Sequence, residues 1–179
     1  MSVLAVVVAS DGRLSDRILG WRPRRWVRVW MLTATRLGDG WLWVATAVLL
    51  ALGGTRGLRV LSAGAVSAAL ANTFLVCVKG RVRRPRPCDT AKARSFGVDP
   101  LAWFAGDRFS FPSGHALNAF AIGSVIALAF PLTAVPVLAV AASVAASRVV
   151  LGLHWLSDVV AGTLMGLLIG TSVWLAFLK

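Results

Sequence analysis

Acidic residues are scarce in this chain of 179 residues: seven aspartates and no glutamate stand against 19 lysines and arginines, a formal net charge of +12. That balance favours phosphate-bearing or anionic-lipid partners. Cysteine is equally thin. Cys77 and Cys88 form neither a CxxC pair nor a disulfide framework, and Cys77 lies in an apolar run, so neither points to metal or redox chemistry. Internal repeats and low-complexity tracts are missing. So is a convincing signal peptide, because Met1 to Ala9 is apolar but short, has no basic flank before it and runs into Asp11 without a good cleavage site. What is plentiful is apolar: 58% hydrophobic residues and a mean hydropathy of +0.77 exclude an ordinary soluble protein and predict a membrane protein about one domain long. Nucleic acid is the competing partner for so basic a chain. It is set aside because a nucleic-acid-binding domain carries its basic stripe on a soluble fold, not between hydrophobic spans.

The hydrophobic pattern divides the chain into an N-terminal basic segment, 1–37, and a membrane domain, 38–179. After Pro23, the apolar residues Trp26, Val27, Val29, Trp30, Met31, Leu32 and Ala34 share a surface, with Arg25, Arg28 and Arg36 on the opposite stripe. No uncharged window of about 18 residues exists there, so the segment reads as an amphipathic helix lying in the membrane interface. Five spans follow: Trp41 to about Gly57, Leu58 to Val78, Pro112 to Phe130, Pro136 to Leu153 and Leu156 to Leu178. The fold class predicted is all-α, a polytopic membrane helix bundle of five transmembrane helices, or six if the N-terminal segment crosses, plus the interfacial helix. Runs such as Ala139 to Ser147 suit close helix packing in lipid. The loop from Cys88 to Phe111, with Phe96, Trp103, Phe104, Phe109 and Phe111, is long enough to act as a lid or a partly inserted platform.

Polar groups interrupt this pattern at three places. Lys79 to Pro87 is a basic run ended by two prolines; Pro112, Ser113, Gly114 and His115 open the third span; Ser147 to Asp158 drops Arg148, His154 and Asp158 into apolar surroundings. A charge at bilayer depth costs about 2.5 to 3.5 kcal/mol on insertion scales, so three polar groups together argue for a site that uses them. Counting spans puts all three places on one membrane face, and they hold both histidines of the chain. Lys79, Arg86 and Arg148 can surround a dianionic group, with guanidinium forks matching phosphate oxygens. Ser113 and Gly114 add backbone donors at a helix start. His154 and Asp158 share a helix face, so the carboxylate can accept one imidazole N–H and leave the other nitrogen to attack. His115, without such a partner, can protonate a leaving oxygen. Two bland readings compete: the His154 and Asp158 pair packs or caps helices, or two histidines and an aspartate bind a metal. The surrounding cations disfavour the metal.

These residues, Lys79 with Arg86-Pro87, then Pro112-Ser113-Gly114-His115, then Ser147-Arg148 with His154 and Asp158, resemble the three-part signature of the type 2 phosphatidic acid phosphatase family, in order and with its spacings. The resemblance covers roughly 38–178. It implies an enzyme: metal-independent hydrolysis of a lipid phosphate or diphosphate, on a phosphatidate, phosphatidylglycerol phosphate, polyprenyl or lipid A type of substrate, with no cofactor. His154 would form a phosphohistidine, Asp158 would orient it, His115 would be the general acid, and Lys79, Arg86, Ser113, Gly114 and Arg148 would hold the phosphate. The alternatives are haloperoxidase-like chemistry on the same site and a non-enzymatic membrane protein that binds phosphate lipids. By resemblance the chain sits in a bacterial plasma membrane with its site outward. Charge points the other way, since seven arginines of the N-terminal segment and eight Lys and Arg of the loop share the active face while the opposite face holds Arg56, Arg59 and Lys179.

Overall fold

Residues too small to keep helices apart set the architecture. The chain is known as a computed structural model that describes residues 3–21, 23–89 and 109–178, and every regular element among them is helical. The helices are α1 (Val3–Gly20), α2 (Arg25–Arg36), α3 (Leu42–Leu52), α4 (Gly54–Val82), α5 (Gly114–Ala129), α6 (Ala134–Val150) and α7 (Leu156–Phe177). α4, α7 and the stretch Pro131–Val150 are each long and apolar enough to cross a membrane, and α5 is a shorter apolar helix. The protein is an integral-membrane helix bundle.

α5 is the central helix, packed against α4, α6 and α7. Its contact with α7 rests on Gly162, Gly166 and Gly170, one per turn. A Cβ on Gly162 would stand 2.6 Å from the carbonyl oxygen of Ser113, and one on Gly166 or Gly170 would press still closer on the carbonyls of Leu117 and Ala121. Backbones therefore touch, which is how membrane helices gain packing where no hydrophobic drive separates them from lipid. The small groups Ala116, Ala119, Ala141 and Ala145 complete the α5 and α6 seam.

The N-terminal segment differs from a helix lying wholly on the leaflet. The helix pattern breaks between α1 and α2, at Pro23 and Arg24; α1 packs onto α6 and α7, and α2 onto α6. Asp11 and Ser15 of α1 and Ala34 and Thr35 of α2 are buried, whereas Trp26, Val29 and Trp30 remain exposed to the lipid side. α2 and α3 are separate helices that meet at a kink over Leu37–Trp41, where Gly40 leaves helical backbone. Phe96, Trp103 and Phe104, the aromatics expected in a lid or platform, lie outside the described residues.

Candidate active site

The α6–α7 loop is built around one carbonyl. α6 stops at Val150, Gly152 takes a left-handed φ of 70°, and the chain folds back so that Leu153 N and His154 N both donate to Arg148 O, at 2.9 and 3.0 Å. Helices commonly end this way, with glycine absorbing the left-handed turn. The same residue thus anchors His154 through its backbone and sends its guanidinium into the site. Across from it, α4 ends at Val82 with Arg83 as its cap, and the stretch after it is tied to the start of α5's lead-in: Ser110 N donates to Arg84 O at 2.8 Å and Ser110 Oγ to Pro85 O at 3.1 Å. Ser113 caps α5 and donates its N–H to Asp158 O at 3.0 Å.

These ties surround a cavity of about 510 Å³ whose walls include Asp39, Lys79, Arg86, Gly114, His115, Arg148 and His154. Lys79, Arg86, Arg148 and His154 are all buried. Arg86 Nη1 donates to Leu153 O at 3.2 Å, and Arg148 Nη1 donates to Thr35 Oγ1. Arg148 Nε and Ser113 Oγ are buried without a hydrogen-bond partner. A buried guanidinium N–H left unpaired costs about 1–3 kcal/mol, so these donors suit an acceptor that arrives with a ligand. The apolar end of the cavity shares Trp43, Ala68 and Ile122 with a groove of about 210 Å³ between α3, α4 and α5.

One expectation is corrected. The carboxylate of Asp158 does not accept the imidazole proton: its Oδ2 stands 3.6 Å from His154 Nδ1, beyond hydrogen-bonding range. The acceptor is Ser110 O, at 2.7 Å from Nδ1. A carbonyl only accepts, so the proton sits on Nδ1 and the lone pair on Nε2. Burial, foremost, pushes the His154 imidazole down to about 3, with Arg148 and Arg86 adding to it and Asp158 opposing. The ring is neutral at physiological pH. Asp158 itself, fully buried, receives Arg84 Nη1 at 2.7 Å and Trp155 N at 2.9 Å. It holds the loop backbone beside His154 instead of the ring. Arg84 continues the chain of contacts to Ser157 Oγ at 2.7 Å and Asp11 Oδ2 at 2.8 Å, and lies 5.1 Å over the Trp155 ring.

His115 departs from the reading that left it without a carboxylate. Its Nε2 lies 2.7 Å from Asp39 Oδ1, in the kink between α2 and α3. Deeper in the cavity, Asn118 Nδ2 donates to Asn72 Oδ1 at 3.1 Å. The structure therefore brings Lys79, Arg86, Ser113, Gly114, His115, Arg148, His154 and Asp158 together, and adds Asp39, Thr35, Arg84 and Ser110, none of which the sequence reading named.

A membrane bundle with two histidines, three cations and unpaired buried donors around one cavity defines a membrane-embedded phosphate-handling enzyme. Residues 57–179 match the PAP2 superfamily, and the chain belongs to that family. Over 135 residues it is 33% identical to the decaprenylphosphoryl-5-phosphoribose phosphatase of Mycobacterium tuberculosis, covering 73% of this chain and 69% of that one. The fold is similar to the crystal structure of a transmembrane PAP2 type phosphatidylglycerolphosphate phosphatase from Bacillus subtilis, with a TM-score of 0.69 and 26% identity over 94% of this chain and 84% of that one. It is also similar to Aquifex aeolicus LpxE, with a TM-score of 0.71 and 21% identity over 90% of this chain and 92% of that one. The protein is an enzyme that hydrolyses lipid phosphates.

Proposed function

We propose that the enzyme transfers a phosphoryl group from a lipid phosphate to His154 Nε2 and then to water, without a metal. The observation that carries this reading is the tautomer: Ser110 O engages Nδ1 at 2.7 Å and leaves Nε2 as the unprotonated nitrogen of a neutral ring that lines the cavity. Lys79, Arg86 and Arg148 neutralise the phosphate oxygens, with the vacant Arg148 Nε and Ser113 Oγ and the N–H groups at the start of α5 as donors. As the bond from phosphorus to Nε2 forms, the bond to the lipid oxygen breaks and His115 gives that oxygen a proton. In the second half His115 takes a proton from the attacking water, and the phosphohistidine is hydrolysed. Asp158 acts from behind, holding the loop that carries His154.

A cavity of this size admits a phosphorylated polar head group, and the adjoining groove between α3, α4 and α5 gives one lipid chain an apolar seat. The similarity to a decaprenylphosphoryl-5-phosphoribose phosphatase supports a phosphorylated prenyl-linked sugar as first substrate to try, beside phosphatidylglycerol phosphate, phosphatidate, undecaprenyl diphosphate and lipid A phosphates. Its place is a bacterial plasma membrane with the cavity outward; the resemblance supports this against a charge distribution that stays one-sided even with Lys79, Arg84, Arg86 and Arg148 committed to the site. A C-terminal fluorescent fusion that glows in the cytoplasm supports the outward site, because α7 ends on the face opposite the cavity. The deciding experiment is phosphate release from that lipid panel in EDTA, with vanadate as a competitive inhibitor. Turnover that stops in EDTA and returns with a divalent cation, or persists in folded His154→Ala, overturns the mechanism.

A further inference from the structure

Asp39 reaches the site on a backbone that few sequences could follow. Between α2 and α3 the chain kinks over Leu37–Trp41, where Gly40 takes φ 130° and ψ −33°, a region closed to residues with a Cβ. On the other side of Asp39, a Cβ on Gly38 would lie 2.7 Å from Val144 Cγ1 and 3.0 Å from His115 Cδ2. Glycine at both flanks lets the turn press against α5 and α6, and Asp39 Oδ1 arrives 2.7 Å from His115 Nε2. The alternative employment of Asp39, a surface pair with Arg36, is weak: the two stand 3.7 Å apart with side chains 57% and 39% exposed, and exposed pairs of this kind contribute little. Asp39 also precedes the residues that match the family, 57–179.

We propose that Asp39 is a positioning residue for His115: it accepts the Nε2–H, fixes the ring at the cavity wall and favours the imidazolium from which the leaving oxygen takes its proton. This rests on the reading of His115 as proton donor. Arg148 and Arg86 both face His115 as like charges, so without a carboxylate the imidazolium would stand among cations. In the first half-reaction the bond between phosphorus and His154 Nε2 forms, the bond between phosphorus and the lipid oxygen breaks, and the Nδ1 proton of His115 moves to that oxygen. The Nε2–H stays on Asp39 throughout, and His115 regains its Nδ1 proton from the attacking water.

The test compares an alkyl phosphate, whose alkoxide needs the proton, with a nitrophenyl phosphate, whose phenolate leaves without it. Asp39→Asn should lower kcat on the alkyl ester by about 10- to 100-fold and on the nitrophenyl ester by less than about threefold, with KM unchanged, as expected for loss of general-acid function. Asp39→Glu should recover part of the loss, and Asp39→Asn should add nothing to His115→Ala. Gly38→Ala, which keeps the carboxylate but lifts the turn from His115, should reproduce the leaving-group split and serves if Asp39→Asn does not fold. Equal losses on the two esters in Asp39→Asn, or additive loss in the double variant, overturns the proposal. If His115→Ala itself loses both esters equally, the donor reading of His115 fails and takes this inference with it; if His115→Ala discriminates and Asp39→Asn does not, only the role of Asp39 falls.

Discussion

Alanine in place of Gly166 adds one carbon at the tightest kind of contact in the bundle. That carbon would lie 3.0 Å from both Ala121 N and Phe120 Cβ and closer still to Leu117 O, whereas carbon contacts settle at about 3.5 Å or more. Two of the three atoms, Leu117 O and Ala121 N, belong to the α5 backbone, which cannot turn aside as a side chain would, and relieving the closest of them parts α5 and α7 by about an ångström. Overpacking of this kind costs about 1–3 kcal/mol, offset by up to about 1 kcal/mol from the better helix propensity of alanine. The expected fall in Tm in detergent micelles is about 2–8 °C. Catalysis should suffer beyond stability, because α5 carries Ser113 and His115 while α7 begins beside His154. Since a shift of about 1 Å can cost about 100-fold, this parting should lower kcat by up to about 100-fold. Gly20→Ala is the control: at the end of α1 its Cβ would meet nothing within 4 Å, and it should leave turnover and Tm unchanged. Thermal unfolding and phosphate release, measured on both variants, decide the matter. If Gly166→Ala behaves as Gly20→Ala does, the backbone contact does not set the site.

Two further outcomes follow from the site. Arg84→Met should destabilise the folded protein by about 3–5 kcal/mol, since Asp158, with no exposed surface, would lose the guanidinium 2.7 Å away; Asp158→Asn made on the Arg84→Met background should return part of that stability, and a chemical denaturation series showing no such recovery refutes the pairing. His154, held neutral down to about 3, binds no proton between there and the ordinary histidine value of 6.5, whereas the unfolded chain does. Its contribution to stability is therefore complete above 6.5 and declines as pH falls toward 3, and phosphohistidine formation should not be lost with a midpoint near 6.5. Single-turnover trapping across pH 4–8 reads this directly, and a midpoint at 6.5 that moves with His154 alone would contradict the burial.

The residues legible in the sequence are those whose type is costly in an apolar run. Lys79, Arg86, Arg148, His154 and Asp158 stood out because charge inside hydrophobic segments demands a reason, and span counting brought their loops to one face. What escaped notice acts by other means. Ser110 orients His154 through a main-chain carbonyl, which any residue possesses, so no side chain advertised it. Arg84 was one cation among several in a basic run, with nothing to mark it as the partner of Asp158. Asp39 sat between a basic amphipathic segment and an apolar span, where Gly38-Asp39-Gly40 reads as an ordinary turn; the glycines on both sides were the available signal. The expected bond between Asp158 and the His154 ring failed because Asp158 opens α7 and spends its oxygens on Trp155 N and Arg84.

The shortness of α5 carries a consequence for where in the cell's lipids the enzyme works. Sixteen residues rise about 24 Å, less than the roughly 30 Å of an average hydrocarbon layer. Neither end can be let into the oil: one begins at His115, and the other is held by Arg56, whose Nη2 donates 2.7 Å to Ala129 O while its guanidinium lies 4.9 Å over the Phe130 ring. α4, α6 and α7 enclose this helix, and α4 and α7, at 29 and 22 residues, meet the hydrocarbon in its place. The bundle therefore keeps the site and Arg56 apart by a short central helix without asking the bilayer to thin. The enzyme is accordingly not confined to the thinner regions of a mixed membrane, and reconstituted turnover should change little with the acyl length of the host lipids.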